Sequence, residues 1–359
     1  MIAIYFDSHK PNLIDIFNEF SEKEMYDNVD DFKKSQASFK IALVEKDEPA
    51  GLGNIIELVD VCDLVIVTDG EWHTHHPLNQ EQYTWTNVYW YGPGYTTKHN
   101  EYIIPFQMHL NKMQQLYKIP KVNNQLDRLN PYQSKPMSFD ALLGQPRPPR
   151  VFVMDQIKKH SLESVIISNI FSNETYTKCP IDQLPGFNWE DDYVLLNDNT
   201  RNDIYCNIDY HGAITAVTNV IPISTYNQTA FSILSETQHN NSIYMITEKM
   251  AKVTLGRRIF VAFAGQGFLQ LLRNTGFQTF DGIIDESYDL LENDQDRWHA
   301  AFEQVIKLCN CDQEKVLLEA KPILEHNFDR IINFHWEKDG MRLLKEKIIQ
   351  ITNNVQSKI

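Results

Sequence analysis

The sequence predicts an α/β protein of two Rossmann-type domains, each a parallel sheet covered by helices, facing a central cleft. Three observations predict it. Short apolar runs such as Leu64–Val67 alternate with segments of helical periodicity. That alternation occurs twice, with a polar stretch between the two series. The chain of 359 residues also exceeds the size of a usual single domain.

Taken in order, Ile2 to Phe6 reads as a strand, and Pro11 to Phe20 spaces its apolar residues as a helix does. Phe39 to Val44 is a second strand. Ile55, Ile56, Leu58 and Val59 mark a covering helix ahead of the apolar strand Leu64–Val67. Val88 to Tyr91 is a fourth strand, closed by Gly92-Pro93-Gly94, and Ile104 to Tyr117 reads as a helix. Pro120 to Pro136 has no sustained periodicity and holds Asn-Pro, as a linker would. The expected organisation is therefore a first domain over 1–120, a linker over 121–137 and a second domain over 138–335. In that second domain Phe139–Leu143, Ser164–Ile167, Ala230–Leu234 and Arg258–Phe263 read as strands. Val151–His160, Thr247–Leu255 and Gly267–Asn274 read as helices, Asn173–Pro222 as loop-rich, and the chain from Trp298 onward as mostly helical.

Composition narrows the partners. With 33 basic and 48 acidic residues the formal charge is −15, so a polyanion gains no long-range attraction and nucleic acid is disfavoured. A small anion needs only one local pocket of Arg and Lys. No run approaches the roughly 20 apolar residues of a membrane span, and Met1–Phe6 lacks the basic start of a signal peptide. Five scattered cysteines, only Cys309 and Cys311 close together, fit reduced thiols in a cytoplasmic protein.

Ligands of open α/β sheets sit beyond the carboxyl ends of the strands. Ser235-Glu236-Thr237 stands at such a place, a polar loop follows, and Ile246-Thr247-Glu248-Lys249 opens a helix. Taken plainly, Thr247 and Glu248 cap that helix and Lys249 is a solvated charge. Taken as a site, the N–H groups of the helix start and the Lys249 ammonium suit a diphosphate. Glu236 or Glu248 would then accept hydrogen bonds from ribose or sugar hydroxyls.

This pattern resembles the donor-binding motif of the α1,3-fucosyltransferases. The run from Phe231 through Gly256-Arg257-Arg258-Ile259-Phe260-Val261 to Gly265 is also similar to bacterial and phage-encoded glycosyltransferases. So is Phe268-Leu269 through Arg273–Phe277, with Asp285–Asp289 after it. The similarity covers about Phe231 to Asp289. It implies the two-domain GT-B architecture and a metal-independent transfer. The nucleotide-diphosphate sugar is then a co-substrate, and no resident cofactor is expected. It also implies that residues 336–359, with a helix over about Lys338–Val355, pack back onto the N-terminal domain. Met245 stands where the fucosyltransferases keep a tyrosine, and the loop after Glu236 is longer, so fucose is not carried over.

Other constellations complete the expectation. Arg147 and Arg150 flank a Pro-Pro helix start at the same cleft, either as surface charge or as diphosphate contacts, and related transferases have a similar Arg-bearing turn. Asp69, Glu71 and His73 follow the strand Leu64–Val67, in a polar loop that could equally be caps. There a carboxylate or histidine would take the acceptor's hydroxyl proton. His73-x-His75-His76 could also bind zinc or nickel, but no distant ligand completes a site, so no metal is expected. Glu190-Asp191-Asp192 lacks a preceding apolar strand and reads as a solvated loop. Tyr83, Trp85, Tyr89, Trp90, Tyr91 and Tyr95 read as core before they read as an acceptor platform. The expected activity is transfer of a sugar from a nucleotide sugar to a hydroxyl of a glycan or other small acceptor. Its alternatives are a phage-type enzyme acting on hydroxymethylated DNA bases and a nucleotide- or sugar-binding protein without turnover.

Overall fold

The structure, a computed structural model, describes residues 1–7, 17, 22–45, 53–68, 78, 83–96, 99–144, 146–169, 193–195, 207–239, 241 and 243–356. The chain divides into two compact units, Met1–Met108 with His335–Ile359, and His109–Phe334.

The first unit is organised by β1 (Ile2–Asp7), β2 (Lys23–Tyr26), β3 (Phe39–Glu45), β4 (Leu64–Thr68), β5 (Val88–Gly92), β6 (Gly94–Thr96) and β7 (Ile103–Pro105). All but β6 form one parallel sheet in the order β2-β1-β3-β4-β5-β7. Every residue of β4 is buried, as expected for a central parallel strand covered on both faces. Side chains alternate across the sheet, so Ile2 and Ile4, Phe39, Ile41 and Leu43, and Leu64 and Ile66 share one face. The helix Trp336–Gln356 lays Leu344 and Ile348, four residues apart, into that same core. Gly340 is needed there. A Cβ at this position would meet the Phe106 ring at 2.5 Å and the Tyr91 hydroxyl at 2.8 Å.

The second unit contains β8 (Met137–Leu143), β9 (Val165–Asn169), β10 (Tyr193–Leu195), β11 (Asn207–Tyr210), β12 (Ala213–Ala216), β13 (Thr229–Ser235), β14 (Ile243–Met245) and β15 (Ile259–Phe263). Its main sheet is parallel in the order β15-β13-β8-β9. In register, Phe139, Phe231 and Ile259 face one way, and four residues beyond Ile259, on the same face, Phe263 packs against Phe152. The helices Pro148–Lys159 and Asp294–Cys309 therefore cover this face, Phe152 also touching Trp298. On the opposite face Tyr226 lies by Ser232 and Arg258, and the end of the helix Glu248–Leu255 abuts it at Gly256.

Three elements differ from the sequence expectation. Ile104 to Tyr117 is not one helix, because Pro105 lacks an N–H and drives Ile104 extended; β7 forms there and the helix begins at Met108. Residues 120–136, read as a linker, fall within the second unit. They fold into the helix Pro120–Asn123 and the 3-10 turn Asn124–Arg128, and Asn227 bonds Arg128 O (2.9 Å) and Asn130 N (3.0 Å). The span read as loop-rich contains the antiparallel order β10-β11-β12. Its β11–β12 turn, His211-Gly212, has φ of 54° and 88°, the two positive values that a tight hairpin needs. Among the described residues no helix is long and apolar enough to cross a membrane.

Candidate functional site

All four strands of the main sheet of the second unit run parallel, so their following loops gather at one edge. Glu236 directly follows β13 and is fully buried, its N–H donating to Phe263 O at 3.2 Å. Its carboxyl accepts from the Thr247 hydroxyl (2.6 Å), Thr237 N (3.3 Å) and Thr247 N (3.4 Å). Thr247 is in turn the N-cap of the helix Glu248–Leu255, accepting from Lys249 N at 3.2 Å. Glu236 thus locks the end of β13 to the start of a helix. Burial pushes its carboxyl above the usual range, against the pull of Lys249 and of the Thr247 bond.

Charges of both signs cluster at that helix start. The Lys249 ammonium donates to Glu248 Oε1 (2.8 Å), Thr237 Oγ1 (3.2 Å) and Thr247 Oγ1 (3.5 Å), and stays 22% exposed. His109 Nδ1 lies 3.9 Å from Glu248 Oε2. Burial would raise the Glu248 carboxyl, but Lys249 and His109 outweigh it and hold it at about 2. One turn on, burial draws the Lys252 ammonium down to about 8, with Glu248 opposing and Lys249 reinforcing.

The second cluster follows β8. Arg147 precedes the helix Pro148–Lys159, whose two leading prolines have no N–H to offer, so an anion here would rely on guanidinium groups. Arg147 is half-buried and Arg150 only 4% exposed. Both act on His239, in the loop after β13. Burial first, then Arg147, Arg150 and Arg297, push that imidazole below its ordinary value, with Asp294 opposing. A cleft of about 590 Å³ opens between Pro148, His239 and Asp294. A neighbouring one of about 490 Å³ includes Arg147 and shares Pro148 and Gln295 with the first.

No family model matches this chain, and no curated protein matches it. The site therefore rests on its own geometry. Of the residues singled out in the sequence, Glu236, Thr247, Glu248 and Lys249 are joined by direct hydrogen bonds. Arg147 and Arg150 lie at the same sheet edge, tied to the β13 loop through the field at His239. Asp69, Glu71 and His73 lie outside the described residues, as do His75, His76 and Glu190-Asp191-Asp192. Of the aromatic group, Trp90 is fully buried and Tyr91 nearly so, whereas Tyr83 and Tyr89 pack half-buried against Tyr102.

Two arginines that shape the site were missed in the sequence. Arg297, 2% exposed, donates to Ala264 O (3.1 Å), Leu291 O (2.6 Å), Glu292 O (3.3 Å) and His239 O (3.4 Å), and pairs with Asp294. It thereby ties the loops after β13 and β15 to the start of the helix Asp294–Cys309. Arg258, 3% exposed, pairs with Asp140 at 2.7 Å and bonds β13 at Ser232 and Phe231. The readable signal was Asp140 itself, a carboxylate inside an apolar strand that requires a buried partner.

Proposed function

We propose that the second unit is the donor-binding half of a glycosyltransferase. It would take a nucleotide-diphosphate sugar and pass the sugar to a hydroxyl of a glycan or another small acceptor. The observation that carries this reading is the lock of Glu236, Thr247 and Lys249. It holds an ammonium over the junction of strand end and helix start, where an anionic ligand of a parallel sheet is best received. Glu236 and Thr247 are buried and act by position. Glu248 and Lys249 keep exposed surface for ligand contact. In the transfer the bond from the sugar's anomeric carbon to the diphosphate breaks and a bond to the acceptor oxygen forms. Lys249, with Arg147 and Arg150, would neutralise the charge that develops on the departing diphosphate. Preorganised cations of this kind can supply several kcal/mol of transition-state stabilisation. The acceptor's proton would pass to a base in the first unit, which the sequence places among Asp69, Glu71 and His73. The GT-B assignment of the two-unit chain belongs to the same proposal.

The test is titration calorimetry of the full chain with nucleoside diphosphates, followed by a sugar-transfer assay on the nucleotide sugars that bind. The reading expects binding that weakens in Lys249→Ala, and release of the nucleoside diphosphate on turnover. Tight binding with neither hydrolysis nor transfer would make the protein a binding module. Transfer confined to hydroxymethylated duplex DNA would move it to the base-modifying class.

A further inference from the structure

The cleft at Pro148 and His239 contains groups that the donor reading above does not use. Trp298 forms part of its wall and is 2% exposed. Its indole N–H, which can only donate, has no hydrogen-bond partner among the described residues. His239 Nδ1 is likewise without one, and the two rings meet edge to face with centroids 5.9 Å apart. Ser235, 2% exposed, ends β13 on this same face of the sheet, since it alternates with Phe231 and Ile233, and its hydroxyl also lacks a partner. Buried polar groups are almost always bonded, and leaving one unbonded costs on the order of 1–3 kcal/mol. Two of them, on Trp298 and His239, belong to residues that line the cleft and call for a ligand that completes their bonds.

The chemistry of the walls narrows that ligand. At about 590 Å³ the cleft has the size of a small-molecule site. Pro148 and His239 offer ring faces for a base to lie against, and burial, with the three nearby arginines, favours the neutral imidazole. The indole N–H asks for an acceptor such as a carbonyl oxygen. The Asp294 carboxylate and the exposed Gln295 amide line the same cleft and can accept N–H donors. A lactam edge, a carbonyl beside a ring N–H, supplies both at once. Uracil, thymine and guanine carry that edge; adenine lacks the carbonyl and cytosine the ring N–H. The adjoining cleft, shared through Pro148 and Gln295, brings Arg147 to where attached phosphates would run.

We propose that this cleft is the subsite for a lactam-type nucleobase, the base end of the nucleotide donor. The inference rests on the donor reading for the phosphates but stands on its own groups for the base. The experiment labels the tryptophan indoles of the full chain with 15N and identifies the Trp298 resonance by its loss in Trp298→Phe. Uridine and guanosine 5′-diphosphates, the adenosine and cytidine analogues, uridine, guanosine and inorganic pyrophosphate are then titrated in turn. The lactam nucleotides are expected to shift the Trp298 resonance and to bind about tenfold or more tighter than the other two, the effect of one lost hydrogen bond. Trp298→Phe should abolish that preference and leave pyrophosphate binding unchanged. Gln295→Ala, at an exposed position that does not endanger the core, should weaken the same preference. Equal affinity for all four nucleotides, or a Trp298 resonance that none of them moves, overturns the base subsite. Absence of pyrophosphate binding while uridine or guanosine still moves that resonance overturns the diphosphate reading and keeps the base subsite.

Discussion

Replacing Asp140 by alanine leaves the Arg258 guanidinium buried at 3% exposure with its counter-charge removed. In the intact protein Arg258 Nη2 sits 2.7 Å from Asp140 Oδ1 and 2.7 Å from Thr229 Oγ1. The same nitrogen also approaches Phe231 O (2.6 Å), while Nη1 reaches Tyr226 O (2.9 Å) and Thr229 O and Nε reaches Ser232 Oγ (3.0 Å). Those acceptors are neutral, so they satisfy the hydrogen bonds of the guanidinium but not its charge. Burial pushes Asp140 up and Arg258 down from their ordinary values, and their mutual attraction opposes both shifts. Breaking one partner of such a pair costs about 3–5 kcal/mol. The Ser232 hydroxyl, 2.7 Å from Asp140, loses an acceptor as well, which puts the expected loss near the top of that range. With a urea slope of about 2–3 kcal/mol/M, the midpoint of the second unit should fall by roughly 1.5–2.5 M. The assay is urea unfolding followed by circular dichroism on Asp140→Ala, Arg258→Met and the double variant Asp140→Leu/Arg258→Met. The double variant replaces the pair by apolar groups and should recover to within about 2 kcal/mol of the wild type. A single-variant loss below about 1 kcal/mol, or a double variant worse than the two singles summed, would refute the assignment of the pair as a buried clamp on β8, β13 and β15.

Four further outcomes follow from the same geometry. Lys249→Ala should weaken nucleoside diphosphate binding by roughly 10- to 100-fold, the range of a charge-assisted contact. It should also lower the melting temperature, because Lys249 is the main group that holds Glu248 charged, and calorimetry with thermal unfolding separates the two effects. Thr247→Ala removes an N-cap and one donor to the Glu236 carboxyl, for a loss of about 2 kcal/mol in urea unfolding, while Thr247→Ser keeps most of the stability. For pH dependence, Lys252 is held at about 8 in the folded protein against an ordinary value of 10.5, so between these values the unfolded chain binds more protons. Stability should therefore rise as pH climbs from 8 towards 10.5, and Lys252→Met should abolish the rise. Glu248, held at about 2 against an ordinary 4.5, contributes stability above 4.5 that is lost as pH falls towards 2, a limb that Glu248→Gln should flatten.

The parts of the fold that could be read from the sequence are those set by local chemistry. The apolar runs that became β3, β4, β13 and β15 announce themselves, because a buried parallel strand needs side chains that tolerate apolar neighbours on both faces. Thr247 stood out as a cap because Thr is a favoured N-cap. What escaped was set by partners distant in sequence. Arg257 and Arg258 are adjacent and chemically alike, yet one reaches outward to Glu325 at 3.1 Å and the other is buried on Asp140, 118 residues away. Only the register of β15 against β13 and β8 distinguishes them. The His211-Gly212 turn escaped for a smaller reason. Histidine is an uncommon residue at the first positive-φ position, and Asp209 compensates by accepting from Gly212 N at 2.6 Å.

The segment 247–249 shows why a cap and a ligand grip are not competing descriptions. A merely solvated lysine at the second turn position would extend into water, since ordering a long side chain costs on the order of 1.5–2 kcal/mol of rotamer freedom. Lys249 instead folds back to Thr237, across the strand end, while staying partly exposed. The residue that makes this fold-back possible is Thr247, which spends its hydroxyl hydrogen on Glu236 and its lone pairs on Lys249. Glu236 fixes Thr247, Thr247 fixes the helix start, and the helix start together with Thr237 fixes the ammonium. A diphosphate arriving at the edge would exchange the contact between Lys249 and Glu248 for its own. The pair is thus a placeholder for the anion, and Glu248→Gln should strengthen pyrophosphate binding while Lys249→Ala weakens it. Opposite signs for two neighbouring residues, read in a single calorimetric series, distinguish a grip from a cap; losses of the same sign would leave Glu248 and Lys249 as helix-end charges and nothing more.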